Sequence, residues 1–130
     1  MWVLDTNTLI CFFKGMGRVP EVLLSHSPGD IAIPAIVLYE LEVGIAKSTA
    51  PRKRRQQLKA LTDAIQVLPF GLAEAEAAAH IRASLEKHGQ PIGPYDVLIA
   101  ATALAQKATL VTRNTREFGR IKHLSLADWF

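Results

Sequence analysis

The sequence has one cysteine, Cys11, so no disulfide can close within the chain. It lies in the apolar run Leu9 to Phe13, which reads it as a small buried hydrophobe rather than a reactive thiol. No apolar run approaches the roughly 20 residues that cross a bilayer. The longest, Val97 to Ala105, already contains Thr102, and no membrane association is expected. The opening Met1-Trp2-Val3-Leu4-Asp5 carries neither a basic leader nor a cleavable apolar segment, so a cytoplasmic location is the expectation. A Gly-rich phosphate loop and a nucleophile elbow are both missing, which removes nucleoside-triphosphate chemistry and serine or cysteine acyl transfer. His26, His80, His88 and His123 have no acid partner at recognisable spacing and read as structural or surface residues. Repeats, low-complexity segments and linkers are absent too.

What is there suits one core. At 130 residues the chain is long enough to bury roughly two-thirds of its unfolded surface. A hydrophobic fraction of 49% against 21% charged excludes disorder as the default. The net charge of +3 suits an anionic partner without requiring one.

Short apolar runs at Trp2 to Leu4 and Leu110 to Thr112 predict buried strands, with weaker candidates at Ile31 to Ile33, Val67 to Leu68 and Leu124 to Leu126. Apolar residues at three-to-four spacing predict helices over Thr6 to Lys14, Glu21 to Ser27, Ile36 to Ser48, Arg52 to Ile65, Ala73 to His88 and Tyr95 to Lys107. Pro34, Pro51, Gly71 and Gly93-Pro94 mark helix starts, where a missing amide donor costs nothing. Strand and helix alternate, which predicts a three-layer α/β/α sandwich with a central, mostly parallel sheet of four or five strands.

Ligands of open parallel sheets bind beyond the carboxyl ends of the strands. Asp5 follows the first strand there, Asn114 and Glu117 follow the Leu110 strand, and Asp96 opens the preceding helix. Glu40 and Glu42 both lie early in the helix after the Ile31 strand; they are about 200° apart around it, so only one can face the same edge. Each acid also has an ordinary reading. Asp5 suits a helix cap, Asp96 a first-turn acid favoured by the helix dipole, and Glu40 and Glu117 solvated surface positions. Clustered carboxylates repel unless a cation lies between them, and an all-oxygen donor set selects Mg²⁺ or Mn²⁺ over zinc.

The segments Val3-Leu4-Asp5-Thr6-Asn7, Leu38-Tyr39-Glu40-Leu41-Glu42-Val43-Gly44, Pro91-Ile92-Gly93-Pro94-Tyr95-Asp96 and Leu110-Val111-Thr112-Arg113-Asn114-Thr115-Arg116-Glu117-Phe118 together resemble the PIN-domain toxins of the VapC type. The likeness runs through to Leu126-Ala127-Asp128-Trp129-Phe130. It implies one PIN-like nuclease domain over residues 1–130, acting as a Mg²⁺- or Mn²⁺-dependent endoribonuclease on RNA, tRNA among the targets. It implies a homodimer and a VapB-like antitoxin as partners. It selects Glu40 over Glu42 through the pattern Glu-Leu-x-x-Gly, assigns Asp5, Glu40 and Asp96 to the metal, and gives Asn7 and Thr112 supporting roles. One departure stands out: many relatives carry an aspartate where this chain has Asn114, so either Glu117 serves as the fourth acid or Asn114 completes the site in a supporting role, its neutral amide able to accept from or donate to a metal-bound water.

Arg52-Lys53-Arg54-Arg55 is the densest positive patch, read either as a solvated helix face or as an RNA-tracking surface through Arg54 and Arg55. Arg113 and Arg116 flank the expected site and are better placed for a scissile phosphate. Two rival functions are weaker. A haloacid-dehalogenase-like phosphatase would want an aspartate where Asn7 stands, and a receiver-type phosphoacceptor would want a lysine after a late strand, which Thr112-Arg113 does not offer. A non-catalytic RNA-binding relative would have no need to keep all these acids.

Overall fold

The apolar runs become the strands of one parallel sheet. The computed structural model describes residues 1–130. In chain order the elements are β1 (Trp2–Leu4), α1 (Thr6–Lys14), α2 (Val19–Ser25), a 3₁₀ turn (Pro28–Asp30), β2 (Ile31–Pro34), α3 (Ala35–Ala46), α4 (Pro51–Ala64), β3 (Gln66–Leu68), α5 (Leu72–Lys87), α6 (Pro94–Ala105), β4 (Thr109–Val111), α7 (Thr115–Phe118) and β5 (Ser125–Ala127). Val3, Leu4, Ala32, Ile33, Leu110 and Val111 are wholly buried, as central strands covered on both faces must be. The helices supply that cover and make the crossovers that parallel pairing demands. The result is the α/β/α sandwich read from the sequence, with five strands, all parallel.

The strand order is β3-β2-β1-β4-β5. From β1 the chain winds outward through β2 and β3, then returns to pair β4 on the other side of β1, with Leu4 opposite Val111. The strand order therefore reverses between β1 and β4, and the crevice beyond their carboxyl ends is the usual ligand position of such sheets. Asp5 leaves β1 there, its amide donating to the Val111 carbonyl at 3.1 Å. Thr112 leaves β4 beside it, its amide donating to Ala127 on the β5 side at 2.8 Å.

Element ends differ from the sequence reading by one or two residues. α2 begins at Val19 rather than Glu21 because Pro20 fits its first turn, and Pro28 starts the 3₁₀ turn beyond its end. β4 ends at Val111, so Thr112 stands just past the strand. α7, only four residues long, has no readable periodicity and was not expected; Asn114 caps it. Cys11 is buried, as its apolar surroundings suggested. No helix is long and apolar enough to cross a membrane.

Candidate active site

Asp5 caps α1 at the carboxyl end of β1. Its extended backbone (φ −81°, ψ 173°) ends β1, and Oδ1 accepts the Thr8 amide at 2.9 Å to start α1. Only one carboxylate oxygen is engaged. The Thr8 hydroxyl donates to the Val111 carbonyl at 3.2 Å, pinning the first turn of α1 to β4.

Glu40 sits in the second turn of α3, where Thr6 Oγ1 donates to its Oε1 at 2.8 Å. Glu42 takes the other side of the helix and pairs with Arg55 at 3.0 Å in an exposed contact. On the α7 side, Asn114 Oδ1 accepts the Glu117 amide at 3.4 Å while its Nδ2 donates to Glu117 Oε2 at 3.2 Å. The buried Thr112 hydroxyl accepts the Asn114 amide at 3.0 Å and holds that turn in place. Asp5, Glu40 and Glu117 are thus each tied to the scaffold through one oxygen, with the second free of protein hydrogen bonds.

Asp96, the third residue of α6, receives no hydrogen bond and lies half-buried among the others. Burial first, then the charges of Asp5, Glu40 and Glu117, push its carboxyl from the ordinary 3.8 up to about 6. Gly93 leaves it room: a Cβ there would lie 3.3 Å from Asp96 Oδ2. The chain's ion pairs are Arg55–Glu42, Lys59–Asp63 and Arg82–Glu86, so no basic side chain neutralises any of the four acids.

In this arrangement no three His, Cys, Asp or Glu side chains stand close enough together to hold a metal ion. The donor chemistry nevertheless fits a hard divalent cation: the donors are carboxylate oxygens, uncompensated, with one carboxyl driven toward protonation by burial first and then by the other three acids. Asp5, Glu40 and Asp96 are the residues expected from the sequence to hold it, and Asp5, Glu40 and Glu117 are the acids whose charge reaches Asp96.

The other expected residues are dispersed. Asn7 is exposed and makes no hydrogen bond to the acids. The Arg113 guanidinium lies 3.5 Å over the Phe130 ring, a cation–π contact that keeps it off the acids. Arg116 is exposed on α7. Arg54 and Glu40 line one groove of about 280 Å³, together with Phe13, Lys14, Ile45 and Leu58, between α1, α3 and α4. His26 stacks on Trp129 at 5.0 Å and lies against Trp2, a packing role. Sequence reasoning missed Thr6 and Thr8, whose hydroxyls serve contacts between distant segments; Thr8 alone left a trace, as the third residue after a capping aspartate.

A family model for the PIN domain matches residues 2–124. The tRNA(fMet)-specific endonuclease VapC of Shigella flexneri is 34% identical over 128 residues, covering 98% of this chain and 97% of that protein. Ribonuclease VapC of Rickettsia bellii is 39% identical over 127 residues, covering 95% and 92%. Among solved structures, VapBC2 from Rickettsia felis bound to a promoter DNA fragment superimposes with a TM-score of 0.92 at 33% identity, covering 99% of this chain and 98% of that one. With the fold, the crevice and these likenesses in agreement, the chain belongs to the PIN-domain family and, within it, to the VapC-type toxins of VapBC toxin–antitoxin systems.

Proposed function

We propose that this chain is a Mg²⁺- or Mn²⁺-dependent endoribonuclease in which Asp5, Glu40 and Asp96 hold the cation and Glu117 completes the acid set. The observation that carries the reading is Asp96, raised to about 6 by burial and three other acids with no cationic side chain among them. A hard cation is the group that would relieve that repulsion.

When bound, such a cation supplies Lewis acidity, activating water and neutralising charge on a phosphodiester. The chain's own part is positioning. Thr8, Thr6 and Asn114 each fix one oxygen of Asp5, Glu40 and Glu117, which leaves the second oxygen of each aimed by a held side chain. Arg113 and Arg116 are assigned to RNA phosphates near the site, and Arg54 and Arg55 to phosphates further along α4. Arg55 remains available because its exposed pair with Glu42 is worth about 0–1 kcal/mol.

Cleavage of total RNA by the purified protein should vanish in EDTA and return with Mg²⁺ or Mn²⁺, leaving 5′-phosphate ends. Full activity in excess EDTA overturns the metal assignment. The likeness to a tRNA(fMet)-specific relative supports tRNA as the substrate class, and the likeness to a VapBC complex supports a VapB-like antitoxin that places a basic side chain among the acids. We assign a homodimer as the working form and the cytoplasm as its place. The chain expressed alone should arrest growth, and the Glu40→Ala form should not.

A further inference from the structure

The chain has two tyrosines, and both stand beside an acid of the site: Tyr39 precedes Glu40 and Tyr95 precedes Asp96. They come from α3 and α6, which pack against each other. Their rings meet edge to face, with centroids 5.8 Å apart and planes at 61°. Tyr39 is 51% exposed and Tyr95 46%, so neither ring is used to fill the core. The chain's other large rings are otherwise occupied: Trp2, His26 and Trp129 form one cluster, Phe12, Phe13 and Phe70 pack against the core, Phe118 is buried, and Arg113 lies over Phe130.

We propose that Tyr39 and Tyr95 form a stacking platform for a nucleobase of single-stranded RNA, next to the phosphodiester that the neighbouring acids address. The proposal rests on the ribonuclease reading above. Its logic is electrostatic: without the cation the four acids repel a phosphate chain, so a contact that is indifferent to charge adds affinity at this spot in either state of the site. The π-face of a base on a neutral aromatic ring is such a contact, and it tolerates any base. Both rings keep about half their surface exposed in the edge-to-face pair, and each leaves its helix one position before an acid, about 100° around from it, so the platform flanks the acids. Val43, one turn along α3 and also partly exposed, makes a second copy of the chain the competing occupant.

The test is binding of a short single-stranded oligoribonucleotide of mixed sequence, in EDTA and low salt so that nothing is cleaved. Wild type is compared with Tyr39→Leu, Tyr95→Leu and the two phenylalanine forms, and the mass of each protein is read by light scattering. Each leucine form should bind about 5- to 150-fold more weakly, while each phenylalanine form stays near wild type. The slope of affinity against salt should not change, since no phosphate contact is lost. An abasic oligomer should bind wild type no better than it binds the leucine forms. Failure of wild type to bind, leucine forms that bind as wild type does, or loss of binding that accompanies conversion of a dimer to a monomer would each overturn the platform. Tyrosine-dependent binding by a protein that cleaves nothing with Mg²⁺ or Mn²⁺ would support the platform and overturn the ribonuclease reading instead.

Discussion

Replacing Asp96 with asparagine should stabilise the metal-free protein. A carboxyl moved from 3.8 to about 6 favours its protonated form in the folded state by about 3 kcal/mol if the site were dry. Asp96 is only half-buried, and solvent screening reduces this to about 1–1.5 kcal/mol. Asparagine also gives up a favourable charge at the start of α6, worth about 0.3–1 kcal/mol. Repulsion wins narrowly, by about 0.5 kcal/mol, which raises Tm by about 2 °C for a chain of this size. The pH dependence sharpens the test. Because the folded carboxyl holds its proton more tightly than the unfolded one, wild-type stability from this group is greatest below the ordinary 3.8 and is lost as pH rises through about 6. The advantage of Asp96→Asn should therefore be present near neutrality and gone in acid. Mn²⁺ should reverse the ranking, since a ligand confined to the folded state adds about 2.7 kcal/mol at a hundredfold excess over Kd, and the variant lacks one donor. Melting curves of both proteins, in chelator and in Mn²⁺, at neutral and acid pH, read all of this. A variant that melts below wild type in neutral chelator, or keeps its advantage in acid, would refute the reasoning.

Other perturbations follow from single contacts. Thr6→Val removes the 2.8 Å anchor of Glu40 and should lower kcat while leaving KM for RNA unchanged, at a stability cost of about 1 kcal/mol by denaturant titration. Asn114→Asp keeps the acceptor for the Glu117 amide but exchanges the donor to Glu117 Oε2 for a fifth charge. It should lose about 1 kcal/mol in chelator and gain more than wild type from Mn²⁺ in thermal melts. Gly17→Ala forces a side chain onto a backbone at φ +60° and puts its Cβ 2.7 Å from the Phe130 ring, so it should cost about 1–3 kcal/mol. Adding Phe130→Ala should return the steric part, giving a double-mutant cycle that departs from additivity by more than about 0.5 kcal/mol.

The sheet was legible because strands buried on both faces announce themselves as unbroken apolar runs; Asp5 and Glu117 stood out as candidates because they follow such runs, and Asp96 because it opens the helix before β4. Helical periodicity puts Glu40 and Glu42 on opposite sides without saying which side faces the crevice, and only the family resemblance selects Glu40; the two sides differ in partner, Thr6 for Glu40 and Arg55 for Glu42. Asp5 suits either a cap or a site acid from sequence alone; one of its oxygens caps α1 and the other makes no protein hydrogen bond, which leaves both roles compatible. α7 escaped because four residues cannot show a period. The tyrosine pair escaped because each ring is ordinary in its own segment and meaningful only once α3 lies against α6.

The position of β1 between β2 and β4 bears on how the molecule is born. Trp2–Leu4 leaves the ribosome well before one neighbour of that strand, Thr109–Val111, which emerges only after six further helices have been made. Until then the Asp5 amide and the Thr8 hydroxyl lack their shared acceptor, the Val111 carbonyl, and Glu117 has not been synthesised. Pairings this distant in sequence form late and slowly, because the closure entropy of the intervening chain must be met first. A nascent chain already carrying Asp5, Glu40 and Asp96 is therefore a set of acids without a crevice. The acid edge therefore takes shape only once β4 and α7 have emerged and β4 has paired with β1.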